Sequence, residues 1–273
     1  MNIVYYPGMR CYDSNLLAAL QLKGKACIPF FLHCFDLKFN ENEAGGIACD
    51  YGIKSTLLSN GALFKEKENK VDEKLFGSGN SFFQVEVDIY NIPWHPRYHK
   101  DHGNHFILYV NQTVNEVEVR DPMCVKGIQK FSINDFFKMV NAVEGFDINK
   151  VTIPTEIALP SVKENDLYKW IDYVECNDIF DALIGIEEDS YNVKLYKTLW
   201  EIAYGRSLYG EYYCATHEKH SIDEFKSLTA KWLRVRSVLV QEYLHRTRRK
   251  EKVLFEVRDA ITTEINLLKS LKR

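Results

Sequence analysis

Near the start of the chain a proline–glycine turn leads into a cysteine and then an apolar run: Pro7-Gly8-Met9-Arg10-Cys11-Tyr12-Asp13-Ser14-Asn15-Leu16-Leu17-Ala18-Ala19-Leu20. Pro and Gly mark a loop, and the Leu/Ala run reads as a helix, so Cys11 stands at or beside a helix N-terminus. First-turn N–H groups lack intrahelical acceptors and carry partial positive charge, which favours an anionic sulfur, and Arg10 adds a cation beside it. Such a sulfur can attack a carbonyl carbon. The bland alternative is a small buried hydrophobe, the usual lot of an arbitrary cysteine. Cys27, Cys34 and Cys49 lie in or near apolar runs, and Cys176 and Cys214 belong to a helical tail, so they have less to recommend them.

A nucleophilic cysteine needs a base, and the base needs an orienting group. Four of the eight histidines crowd into Trp94-His95-Pro96-Arg97-Tyr98-His99-Lys100-Asp101-His102-Gly103-Asn104-His105. A strand follows (106–110), then a polar turn (111–115), then a second strand (117–120) that ends at Asp121-Pro122. A hairpin centred near Thr113 sets His105 opposite Asp121, and opposed residues point to one face of a sheet. His102 gains no acid from that register, so His105 is the preferred base. Two other readings compete: a metal held by the four histidines, or a histidine-rich surface loop with His105 packed at a strand end. Pro96 and Gly103 break any helix that would gather the histidines, and no acid or thiol completes the set, so no metal is expected.

The frame around these residues divides in two. All seven prolines and eleven of the fourteen glycines fall by position 160. Residues 1–155 therefore read as mixed strands, turns and a few helices, and residues 156–273 as a helical region. Helical spacing recurs there at Leu195, Leu199, Ile202 and Ala203, and at Trp232, Val235, Leu239 and Tyr243. Residues 156–224 carry 15 Asp and Glu against 6 Lys and Arg, whereas residues 225–273 carry 5 against 13. The dense basic stretch is Arg246, Arg248, Arg249, Lys250 and Lys252. It reads either as one of two opposite-sign helical faces or as a dock for an acidic partner.

Composition excludes several classes. A formal charge of −3 argues against a dedicated nucleic-acid binder. No apolar run approaches the roughly 18 residues of a membrane span, and Met1 to Arg10 lacks a signal-peptide pattern. Seven cysteines without C-x-x-C pairing fit neither a disulfide framework nor a zinc ribbon, which points to a reducing cytoplasm.

Cysteine opening the first helix, histidine opening a strand and aspartate sixteen residues later is the order of papain-like folds. The stretch Val87-Asp88-Ile89-Tyr90-Asn91-Ile92-Pro93-Trp94-His95-Pro96-Arg97-Tyr98, followed by His102, His105 and Asp121-Pro122, resembles the butirosin-biosynthesis acyltransferase (BtrH-like) family over roughly residues 5 to 155. The resemblance implies an α+β architecture: a papain-like cysteine peptidase-type domain at 1–155, then the helical region at 156–273, which would bind substrate or carrier or oligomerise. It also implies antibiotic or non-ribosomal peptide biosynthesis, as expected for a similar enzyme of the closthioamide pathway. The family's chemistry moves an acyl group from a carrier-protein thioester to an amine, forming an amide. No cofactor is bound. The substrate arrives on the phosphopantetheine arm of an acyl or peptidyl carrier protein, and the second partner is a small amine. Nucleic acid and membrane have no part, and a homo-oligomer is left open.

On this reading Cys11 forms the acyl-enzyme, His105 holds the thiolate and later takes a proton from the amine, and Asp121 fixes the imidazole. The need for neutral amine predicts a mildly alkaline optimum. Trp94, Tyr98 and His102 are candidates to bind substrate, and Arg246, Arg248, Arg249 and Lys250 to dock the carrier. One departure stands out: papain-like peptidases place a glutamine a few residues before the nucleophile, and residues 1–10 contain none. Backbone N–H groups would then supply the oxyanion hole, which suits an activated thioester better than a peptide bond. A cysteine peptidase, amidase or thioesterase using water, and a non-catalytic carrier-binding scaffold, remain as alternatives.

Overall fold

The computed structural model of the protein describes residues 3–40, 42, 45–69, 76, 81–155, 159–183, 194–217 and 221–272. In chain order the elements are α1 (Cys11–Leu22), β1 (Leu37–Phe39), β2 (Ile47–Cys49), α2 (Ile53–Ser59), β3 (Leu63–Phe64), β4 (Phe82–Asp88), β5 (Asn104–Gln112) and β6 (Glu116–Arg120). Then come β7 (Ile128–Ser132), α3 (Ile133–Met139), β8 (Val140–Asp147), α4 (Glu164–Cys176), α5 (Lys194–Thr216), α6 (Ile222–Leu244) and α7 (Lys250–Leu271). The class is α+β, with antiparallel sheets and C-terminal helices. No helix among the described residues is long and apolar enough to cross a membrane.

Chain contacts divide it into two units, residues 1–30 with 53–154, and residues 31–52 with 155–273. The expected division at 155/156 therefore needs one correction. Residues 31–52 group with the helices and not with the sheet, because the β1–β2 hairpin packs its apolar side on helical residues, as Phe39 does edge-on against Tyr173.

The first unit is built on a six-stranded antiparallel sheet of order β3-β8-β4-β5-β6-β7. Its middle strand, Phe82-Phe83-Gln84-Val85-Glu86-Val87-Asp88, is buried from Phe82 to Val87, as a strand covered on both faces must be. One face carries Val85, Val87, Ile107, Tyr109, Val117 and Val119 and is closed by Phe136 and Met139 of α3. Helix α1 is held to the sheet by a buried amide bridge. Asn15 Nδ2 donates to Gln84 Oε1 at 3.1 Å, and Gln84 Nε2 donates to the Tyr12 carbonyl at 2.9 Å.

The β5–β6 hairpin differs in register from the sequence expectation. Gln112 pairs with Val117 and Leu108 with Arg120, so the turn spans Thr113–Glu116 and is not centred on Thr113. An extra β5 residue at Val110 makes a bulge that shifts the pairing between the two ends. Near the site the displacement is two residues. A shift of one would have turned every side chain over, but a shift of two keeps each on its face.

In the second unit helices α5, α6 and α7 meet at a buried ion pair. Arg206 Nε and Nη2 donate to Glu264 at 3.0 and 2.5 Å, and Trp232 Nε1 donates to the same carboxylate at 2.7 Å. The Arg206 guanidinium also lies 4.5 Å from the centre of the Phe35 ring. Gly205 is required beside it, since a Cβ there would meet the Cys34 carbonyl oxygen at 2.2 Å. The expected apolar positions Leu195, Leu199, Ile202, Ala203, Trp232, Val235 and Leu239 are all buried, while Tyr243 is half-buried.

Both members of the ion pair are fully buried, so removing one leaves a charge without compensation. Glu264→Ala is expected to cost about 3–5 kcal/mol, read as a lowered midpoint in urea unfolding. A loss under about 1 kcal/mol would contradict a desolvated pair.

Candidate active site

Helix α1 begins at Cys11. Arg10 before it keeps an extended backbone (φ −67°, ψ 155°), and the first helical bond runs from the Ser14 N–H to the Arg10 carbonyl at 2.9 Å. Cys11 is thus the first helical residue, where the sequence expectation set it. Its own N–H and that of Tyr12 precede the intrahelical ladder and are suited to receive an oxyanion.

His105 is the second residue of β5, paired with Val87 of β4. Continuing the hairpin register from Leu108–Arg120 sets Asp121 opposite Ile107, on the face that His105 shares. The two side chains meet diagonally, with His105 Nε2 and Asp121 Oδ2 at 2.9 Å and both fully buried. The pairing expected from the sequence exists, but through a neighbouring position in the ladder.

Asp121 is held from two further sides. Trp94 Nε1 donates to Oδ2 at 2.9 Å, and the Cys124 backbone N–H donates to Oδ1 at 3.2 Å. Burial alone would raise this carboxyl, but the bonds from His105, Trp94 and Cys124 hold it below the usual carboxylate range. The carboxylate is ionised, so Nε2 carries the shared proton and Nδ1 is the nitrogen at which the imidazole takes up or gives away its second proton. Nδ1 is buried and makes no hydrogen bond among the described residues. Burial pushes the imidazole down, yet Asp121 and the nearby thiols of Cys11 and Cys124 hold it well above the ordinary histidine value.

Cys124 escaped the sequence reading. Its signal was its place three residues after Asp121, where a proline turn folds the chain back so that the Cys124 and Val125 N–H groups both reach the Asp121 carbonyl. Burial pushes the Cys124 thiol up. Among the described residues, His105, Asp121 and Cys124 form the one group whose ligand atoms, a nitrogen, an oxygen and a sulfur, all lie within 4.8 Å of one another. Gln84 and Asn15 were also missed: their bond spans 69 residues and leaves no local pattern.

The other expected residues go elsewhere. His102 does have an acid: its Nδ1 lies 2.6 Å from Asp88 Oδ2, and its side chain is 74% exposed and stacked on Tyr90. The acid comes from the end of β4, not from the hairpin, so the hairpin register could not reveal it. Asp88 also accepts the N–H groups of Tyr90 and Gly103, which makes this pair a brace for the loop. Tyr98 is exposed and stacks on His99 at 3.8 Å. Trp94 serves Asp121 and packs on Phe131. His95 is buried, and burial with the neighbouring His105 lowers its pKa, so it stays neutral.

The basic stretch is largely engaged with acids of its own unit. Arg248 lies 3.4 Å from Asp178 and 3.7 Å from Asp181, and Arg249 and Lys252 reach Glu242 at 3.0 and 2.9 Å. Lys250 donates to the Glu175 carbonyl at 2.5 Å, and Arg246 adopts a left-handed backbone in the turn. These pairs favour mutual attraction of opposite-sign faces over a carrier dock.

Comparison of the chain with protein-family models and with curated proteins finds no match.

The electrostatics of the pair can be measured. Asp121 contributes stability above its ordinary pKa of 3.8 that is lost as pH falls through its lowered value. His105 contributes below 6.5, and that part is lost as pH rises through its raised value. NMR titration should find His105 protonated well above pH 6.5. Asp121→Asn should bring its midpoint down, because burial then acts without the carboxylate. An unchanged midpoint would show that Asp121 does not set the charge of His105.

Proposed function

We propose that the chain is a cysteine-dependent acyltransferase with Cys11, His105 and Asp121 as its triad, taking an acyl group from a carrier-protein thioester to an amine. The observation that carries this reading is a buried imidazole bonded to Asp121 through Nε2, with its remaining nitrogen unengaged and the thiol of a helix-opening cysteine beside it. The chain order of the three, and a helix packed on an antiparallel sheet, fit a papain-like domain of the BtrH-like type.

His105 Nδ1 takes the Cys11 thiol proton and holds the thiolate as an ion pair, and the sulfur then attacks the thioester carbonyl. The C=O electron pair moves onto oxygen, towards the first N–H groups of α1. The C–S bond to the pantetheine arm then breaks, and His105 returns the proton to the departing thiol. An amine attacks the acyl-enzyme, His105 takes one N–H proton, and Cys11 leaves as the amide forms. Asp121 stays ionised throughout, holding the imidazole tautomer. Exchange of one thioester for another is nearly isoenergetic, so positioning and charge are the main tasks.

Two observations support a thioester over a peptide bond. No glutamine stands just before Cys11, and the amide of Gln84 is committed to the Tyr12 carbonyl and Asn15. An activated acyl donor tolerates the weaker oxyanion site that results.

The test uses an acyl-pantetheine thioester with a primary alkylamine, reading amide product. Cys11→Ala and His105→Ala should each lose about a thousandfold or more. His102→Ala should stay within about twofold, because its partner Asp88 belongs to the loop brace. Amide formation by His105→Ala at the wild-type rate would overturn the triad. Release of free acid unaffected by added amine would replace the transferase with a hydrolase.

A further inference from the structure

The thiol of Cys124 has no task in the mechanism above, yet it stands against both members of the buried pair. Its backbone N–H caps Asp121 at 3.2 Å, and its sulfur lies within 4.8 Å of an imidazole nitrogen of His105. One imidazole nitrogen, one carboxylate oxygen and one sulfur lie within 4.8 Å of one another, His105 and Asp121 fully buried and Cys124 half-buried. Two of the three donors are already brought together out of contact with water: His105 Nε2 and Asp121 Oδ2 stand 2.9 Å apart with both side chains fully buried.

We propose that His105, Asp121 and Cys124 form a binding site for a soft divalent cation of the Zn²⁺ type, whose occupation switches the active site off. The sequence argued against a metal held by four histidines, and this site uses only one of them. The donor set selects the metal class. A thiolate and an imidazole suit Zn²⁺, whereas Mg²⁺ and Ca²⁺ prefer oxygen alone. Bonds of about 2.0–2.3 Å need donors roughly 3.5 Å apart, so closure asks for a movement of about 1 Å, within reach of side-chain rotation. As the cation enters, the Cys124 thiol proton and the proton between Nε2 and Oδ2 leave to solvent. The cation then takes the place of that proton. A fourth coordination position stays open to water or to a small anion.

The consequence for regulation rests on the acyltransferase reading, whereas the binding itself does not. With Nε2 and Oδ2 on the cation, Asp121 no longer orients the imidazole and His105 can no longer carry a second proton. Acyl transfer stops until the cation is removed.

Calorimetry of ZnCl₂ with the full chain against a competing chelator should show one tight site, with MgCl₂ and CaCl₂ giving none at equal concentration. Cys124→Ser should weaken that site by about tenfold or more, and Asp121→Asn likewise, with thermal melts confirming that both variants fold. Cys11→Ala should bind Zn²⁺ as the wild type does, because its sulfur is not one of the three donors. Wild-type affinity in Cys124→Ser, or loss of the site in Cys11→Ala, would overturn the assignment. In the amide assay Zn²⁺ should inhibit and EDTA restore. Binding as expected with no transfer after EDTA would remove the catalytic reading and leave the metal site standing. Transfer undiminished at saturating Zn²⁺ would overturn the switch.

Discussion

A carboxylate and an imidazole share a proton across 2.9 Å with no access to water, and the arrangement of the first unit answers to that demand. Neither group tolerates burial alone: Asp121 would rise towards neutrality and His105 would fall. Together, each holds the other charged. The scaffold supplies what the pair still lacks, with the Trp94 indole and the Cys124 amide satisfying the remaining carboxylate lone pairs. Such a pair gives Nδ1 a raised affinity for the proton it takes.

Placing a nucleophile against that nitrogen is a second problem, solved by packing. Residues 14–20 of α1 are all buried, so the helix cannot roll, and the Asn15–Gln84 bridge fixes it along the sheet. Cys11 is the first residue of that helix. Its position is therefore set by a buried amide pair one turn further on, and not by the loop that precedes it. Tyr12 adds a contact on each side, edge-on to Phe106 at 5.3 Å and hydrogen-bonded to Glu144.

What could be read from the residues alone follows from how local each signal is. The start of α1 was legible because Pro7-Gly8 and the Leu/Ala run lie side by side. The helical second half was legible because proline is absent there and apolar residues recur at helical spacing. The His105–Asp121 pairing survived a register error because a two-residue shift preserves the face of a strand. Most of the illegible features join distant parts of the chain. Asp88 reaches His102 from another strand, Gln84 reaches Asn15 across the sheet, and residues 31–52 leave the sheet unit for the helices. Cys124 was local but hidden, since only the turn after Asp121 brings its thiol back to the pair.

The central claim is that Cys11 carries the acyl group, and intact-mass and peptide mapping after mixing with an acyl-thioester tests it directly. Without an amine, the account predicts one acyl addition per chain, located on the peptide containing Cys11 and discharged when amine is added. An addition located on Cys124, or one that persists in Cys11→Ala, would contradict it.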